Sequence, residues 1–356
     1  MDGKYLIHDN FLNITKLGRD GYGIFLDDIA DAEIRNNVCV GGGYGIALFW
    51  AEDMIVQKNN CSHNDGDGIH LEYVENSLID RNNCFNNTYG ISTFLCSFVN
   101  FTSNICYFNG YSEQGDFNEI WETGDGIRIG FSDFCRILNN NCTKNIRSGL
   151  SLPGGDFFVV YNNTIKHNRI GIEMQIERSG HLATEIVSGV AIVYNKLINN
   201  TEYGVYLSGY VRQSYIHHNI FIHNNIEGTP LGRHSQGPPY GYSQARESTR
   251  KRNTWFDKQS NEGNYWSDYQ NEGDYLVDGN EYESFNSDPY PIANFSEISI
   301  PPIPTFPKGK WFSDRDFFLI RIAFSIAGII CIPISLIVIS MFIAKARKKG
   351  IEKRNE

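Results

Sequence analysis

Side chains able to move protons crowd two short stretches of this 356-residue chain. Asp67, His70 and Glu72 occupy the first; Asp125 and Arg128 occupy the second. Two carboxylates set against an arginine can abstract a proton beside a uronate carboxylate or hydrolyse a glycosidic bond. Asp67, Glu72, Asp125 and Arg128 are therefore the expected catalytic groups, and His70, Tyr89, Trp121 and Glu173 the expected ligand contacts. Trp121 belongs to an insertion, residues 110–123, which also carries Glu113, Asp116, Glu119 and Glu122. Insertions in repeat proteins often build the wall of a binding site. The plainer reading is that such charges simply decorate a solvated strand face. A second cluster, His217, His218 and His223, has imidazoles of the kind copper(II) accepts. Against copper, adjacent residues on a strand are expected to point opposite ways. Methionine, the soft ligand of a copper(I) carrier, is also scarce before the C-terminal segment.

What would position these groups is a repeat. Glycine followed by Ile, Leu or Val recurs at Gly23, Gly45, Gly68, Gly90, Gly126, Gly149, Gly171 and Gly204. The gaps cluster at 22 and 23, with two longer ones of 36 and 33 that hold insertions. After each glycine, apolar and changeable residues alternate, as in Gly68-Ile-His-Leu. That period of two marks a short strand with one buried face. A second inward column reads Ile34, Val56, Ile79, Phe101, Ile137, Val160. A third reads Cys39, Cys61, Cys84, Cys106, Cys142, Ile165. Two asparagine columns accompany them, one from Asn37 to Asn195 and one from Asn64 to Asn200. Asparagine tolerates turn dihedrals, and identical amides can pair when stacked at ~4.8 Å. Equal repeat positions fall into file only if successive coils stack in parallel, which predicts an all-β parallel β-helix with ~22-residue coils. Tyr22, Tyr44, Tyr89 and Tyr203, one residue before their glycines, should lie along the same edge as Asp67 and Asp125.

Composition bounds the rest. The net charge of -10 argues against nucleic acid as a partner. The cysteine column shares its place with Ile165, so its thiols read as small apolar side chains; disulfides between neighbouring rungs are the alternative. Residues 322–344 lack any charge and are long enough for a membrane helix. The basic tail behind them predicts a single-pass protein with a cytoplasmic C-terminus and the solenoid outside. Ile300-Pro-Pro-Ile-Pro would form a stiff stalk. No secretory signal precedes the first coil, and the abrupt start points to an upstream segment. The expected organisation is thus a β-helix over 1–260, an aromatic cap over 261–292, a stalk over 293–316, a transmembrane helix over 317–344 and a basic tail over 345–356.

The pattern Gly-Ile-x-Leu…Asn-Asn-x-Ile/Cys-x-x-Asn resembles the right-handed parallel β-helix repeats of the pectin-lyase-like superfamily. Within it, Gly263-Asn-Tyr-Trp-Ser-Asp-Tyr269 is similar to the ending of archaeal members of the periplasmic copper-binding, nitrous-oxide-reductase-maturation type. The resemblance covers about residues 5–292. It implies a single-stranded right-handed β-helix on the cell surface, with copper, or calcium near Asp274–Glu281, as the ions to consider. It implies no single activity, because the superfamily hosts lyases, hydrolases, epimerases and non-enzymes. Trp255, Phe256, Tyr265, Trp266 and Tyr269 read as a cap over the open end, or alternatively as a sugar platform. The expectation is a membrane-anchored recognition or scaffold module for glycans or envelope partners. The first alternative is a polysaccharide-active lyase, hydrolase or epimerase, and the second a copper-binding maturation factor.

Overall fold

A computed structural model describes residues 5–14, 21–110, 123–175, 187–225, 243–249, 253–279, 286–294, 296 and 298. They form an all-β solenoid. Three long sheets run along it, with strand order advancing by one coil at each step. The first extends from Tyr5–His8 to Tyr215–His217, and the second from Phe11–Asn13 to Tyr265–Trp266. The third carries the glycine repeat and extends from Tyr22–Asp27 to Ala245–Thr249. All pairings described in these sheets are parallel, and equal repeat positions are register partners. Cys39 faces Cys61, then Cys84, Cys106 and Cys142 follow, and Ile165 continues the file. The sequence columns are therefore physical columns. A fourth sheet of two-residue strands, Ser132–Asp133, Gly155–Asp156, Val187–Ser188 and Val211–Arg212, widens the later coils and has no periodic signal in the sequence.

The glycines recur because neighbouring rungs leave no room for a Cβ. One built on Gly90 would lie 2.4 Å from the carbonyl oxygen of Gly126 and 3.1 Å from Cys106 Cβ. Gly23 and Gly45 meet the next glycine's carbonyl in the same way, at 2.4 and 2.5 Å. The asparagines recur because they stitch one rung to the next at a corner. The backbone N–H and the side-chain amide of Asn82 both donate to Asn104 Oδ1, at 2.9 and 3.1 Å, and the amide also donates to the Val56 carbonyl at 2.9 Å. The ladder repeats through Asn140, Asn163, Asn195 and Asn219. The residue before each rung is left-handed, for example Lys58, Arg81 and Ser103 with φ of 55, 53 and 55°. Such a conformation costs an L-residue roughly 1–2 kcal/mol. Three hydrogen bonds per buried amide offset that cost.

The seven described cysteines are free and buried. Burial pushes the thiols of Cys84, Cys106 and Cys135 well up, and that of Cys96 to about 12. A thiol that cannot ionise does not react. Iodoacetamide should leave all seven unmodified in the native chain, and peptide mapping should show modification only after denaturation. Modification of Cys84 or Cys106 under native conditions would contradict the described packing.

At the C-terminal end the interior is closed by aromatic rings. Trp266 is 1% exposed and stacks between Phe221 and Tyr275, each 4.0 Å away. Its indole N–H donates to Asp288 at 2.9 Å, and the backbone N–H of Asn264 donates to the same carboxylate. Trp255, fully buried, donates to Glu247 at 2.7 Å. Neither indole leaves a face for a sugar. Ala245–Thr249 pairs with Tyr203–Gly209 although it lacks the glycine signature.

Candidate functional site

The third sheet turns its changeable positions outward, and its register assembles one charged strip. His70, Ser92, Arg128, Ser151 and Glu173 are successive register partners, so each is one rung from the next. Two rungs, ~10 Å, separate His70 from Arg128. Asp67 partners Tyr89 in the flanking column, on the side from which Asp125 also approaches. The sequence expectation that coils three and five share a face, with Glu173 further along it, agrees with this register.

Within the strip, His70 Nδ1 lies 2.8 Å from Asp67 Oδ2 and 2.9 Å from Ser92 Oγ. Ser92 also donates to Asp67. His70 Nε2 is 3.7 Å from Glu72 Oε2. Burial opposes charge on this imidazole, but hydrogen bonding to Asp67 and Glu72 outweighs it and raises the pKa to about 9. At neutral pH His70 is an imidazolium held between Asp67 and Glu72. The folded state thus binds this proton more tightly than the unfolded chain. The resulting stability is complete below about pH 6.5 and lost as pH rises through about 9, and is worth at most about 3 kcal/mol. Urea unfolding of the wild-type chain and of His70→Gln should show the gap between them narrowing across that window. Parallel stability curves would contradict the protonated state of His70.

Around Arg128 the charges interlock. Arg128 Nη1 is 3.5 Å and Arg147 Nη1 3.3 Å from Asp125 Oδ2. Arg147 reaches across to Glu173 at 3.0 Å, and Ser148 donates to the same carboxylate at 2.7 Å. Asp125 is wholly buried and also accepts the Ser148 backbone N–H at 3.0 Å. The Arg128 guanidinium lies over the Tyr89 ring, 5.6 Å from its centroid. Burial pushes the Tyr89 hydroxyl up, so it keeps its proton at neutral pH. Burial likewise raises Glu173, with Arg147 opposing. Towards the earlier rungs the face is aromatic: Tyr22 stacks on Tyr44, and Tyr44 and Phe49 lie 5.1 and 5.5 Å from the His70 ring. Sequence reasoning missed Arg147 and Ser148, although their signal was available in Arg147-Ser148-Gly149, where the two residues before a repeat glycine are polar.

Trp121 lies outside the described residues. The histidine cluster is arranged differently from the expectation. His217 and His218 turn towards one another, with Nδ1 atoms 2.6 Å apart, because His218 is a left-handed corner residue at φ 55°. His218 Nε2 is engaged by Glu262 at 2.8 Å, and His223 is exposed. Burial lowers the His217 pKa to about 4. Among the described residues no three metal-ligating side chains converge.

The chain matches the family described as right handed beta helix region over residues 7–118 and 107–281, and it belongs to that family. Among solved structures it is similar to the periplasmic alginate epimerase AlgG, at 20% identity over 54% of this chain and 47% of that one, with a TM-score of 0.45. It is also similar to the A-module of the Azotobacter vinelandii mannuronan C-5 epimerase AlgE4, at 14% identity over 77% and 76%, with a TM-score of 0.45. A third likeness is to PfbA, a surface adhesin of Streptococcus pneumoniae, at 9% identity over 62% and 68%, with a TM-score of 0.41. The chain spans about half the length of the alginate epimerase. No curated protein matches. At these identities the likeness concerns the fold.

Two expectations change here. The family that the chain matches is the right-handed β-helix at large, so the narrower copper-binding resemblance is not retained. The single-pass membrane localisation is also corrected: no helix among the described residues is long and apolar enough to cross a membrane. Residues 322–344, on which that expectation rested, lie outside the described residues, as do the tail and nearly all of the stalk.

Proposed function

We propose that this chain is a carbohydrate-active β-helix enzyme that moves the proton beside the carboxylate of a uronic-acid residue, in an epimerase or lyase reaction. The carrying observation is the strip in which a carboxylate–imidazolium group stands two rungs from Arg128, with Tyr89 against the arginine. Membership of the β-helix family and the epimerases among the similar structures favour this reading over a recognition scaffold.

A proton on the carbon next to a carboxylate is removed only if the resulting charge is stabilised. Arg128 would pair with the substrate carboxylate and hold the electron pair released when the C5–H bond breaks. A carboxylate of the Asp67–His70–Glu72 group would take up that proton. Tyr89, kept neutral by burial, can donate its own. Delivery to the opposite face of C5 inverts the sugar. Alternatively, the electron pair expels the glycosidic oxygen at C4, Tyr89 protonates it, and an unsaturated uronate results. Asp125, Arg147 and Glu173 position Arg128 through the contacts described above.

The test uses the full chain with mannuronan, guluronan and galacturonan in deuterium oxide. Incorporation of deuterium at C5, with or without chain cleavage, is expected, and should vanish in His70→Gln. Neither exchange nor cleavage on any uronan, with the folded state verified by circular dichroism, would reject the reading.

A further inference from the structure

Register sorts the groups around His70 into three outward columns. Asp67 and Tyr89 are partners in the first, His70 and Ser92 in the second, and Glu72 and Phe94 in the third. Arg128 continues the second column one rung beyond Ser92. A sugar held by its carboxylate at Arg128 thus has Tyr89 on one flank and Glu72 on the other. Asp67 stands on the same flank as Tyr89.

The two carboxyl groups also differ in what they face. The Asp67 side chain is 8% exposed, and its Oδ2 accepts from both His70 Nδ1, at 2.8 Å, and the Ser92 hydroxyl. A buried oxygen that already accepts two hydrogen bonds has little capacity left for a reacting proton. What Asp67 does instead is hold the proton on Nδ1, which turns Nε2 towards Glu72. The Glu72 side chain is 30% exposed, and among the described residues it meets one charged group, that Nε2, at 3.7 Å. Its register partners one rung to either side are Phe49 and Phe94, whose rings offer its oxygens no N–H or O–H.

We infer that Glu72 removes the C5 proton, that Tyr89 returns one from the opposite side, and that Asp67 is a positioning residue for His70. The reaction is then inversion at C5, and the inference rests on the uronate reading above. The C5–H bond breaks to a Glu72 oxygen, and its electron pair passes into the carboxylate held by Arg128. The pair then re-forms a C–H bond with the Tyr89 hydroxyl proton on the other face of the ring. Turnover ends with Glu72 protonated and Tyr89 without its proton, and exchange with water restores both. Removal by Asp67 would put both transfers on one flank and return the original sugar.

Nuclear magnetic resonance of the full chain acting on mannuronan, guluronan and galacturonan in deuterium oxide tests this at early conversion. Deuterium should appear at C5 of inverted residues and not of the remaining substrate. Glu72→Gln should lower this exchange about 10²–10⁴-fold. In Glu72→Ala, added formate should restore part of it, because a small carboxylate takes the vacated place. Asp67→Asn should make the His70 ring titrate at lower pH than its wild-type value of about 9. Undiminished exchange in Glu72→Gln, or deuterium in uninverted residues, would overturn the role of Glu72. An unchanged His70 titration in Asp67→Asn would overturn the role of Asp67, whether or not the chain turns over. Cleavage without inversion would overturn the inversion and leave the uronate reading standing. No reaction on any uronan would overturn that reading and the role of Glu72 with it.

Discussion

Gly90→Ala is expected to destabilise the chain by at least ~3 kcal/mol, and denaturant unfolding measures it. The added methyl would stand 2.4 Å from the Gly126 carbonyl oxygen, 2.9 Å from Asn109 Nδ2 and 3.1 Å from Cys106 Cβ. Overpacked cores usually recover part of their loss by rotating a side chain. Here the nearest obstacle is backbone, held in a parallel ladder on both sides. Relief would require separating two rungs and breaking the Asn87 to Asn109 amide contacts with them. Gly209→Ala offers the contrast. Its Cβ would meet nothing within 4 Å, although its φ of 74° still strains an L-residue. The Gly90 variant should therefore lose clearly more than the Gly209 variant. Equal losses would mean that backbone freedom, rather than rung spacing, explains the repeat.

Arg128→Ala is expected to lower turnover on the active uronan by roughly 10²–10³-fold, the usual effect of losing one group that stabilises developing negative charge. Asp125 would then lose one cationic neighbour but retain Arg147 and the Ser148 N–H, so the fold should survive. Arg128→Lys should recover only part of the rate, because a point charge replaces a planar fork. Deuterium exchange at C5 reads this effect separately from cleavage. Undiminished exchange in Arg128→Ala, in a chain whose melting is unchanged, would remove Arg128 from the chemistry.

The architecture was legible because a parallel solenoid writes each structural requirement once per coil. Gly23 through Gly204 report where rungs touch, and Asn37 through Asn195 report the stitched corner. Cys39 through Cys142 report the interior. A single such residue says little, but its recurrence at one spacing admits only stacking. The outward charges of coils three and five were equally visible as Asp67, His70, Glu72, Asp125 and Arg128. Arg147 was not, since it precedes its strand and reaches the strip only because its side chain crosses to Asp125 and Glu173. The strand Ala245–Thr249 was hidden for a different reason. Its inward position opposite Leu207 holds Glu247, a carboxylate satisfied by Trp255, Asn253 and Asn286, which no hydrophobic pattern anticipates. The histidine pair misled because a corner at positive φ breaks the up-down alternation of a strand.

The single outward column also sets how this protein can diverge. Duplicating or deleting one coil between His70 and Arg128 would shift their spacing by one rung while every remaining pairing kept its partners. The reach between the carboxylate–imidazolium group and the arginine cluster could then change by whole steps, without redesign of either. A lineage of such chains would be expected to vary in coil number, as a ruler varies by its graduations.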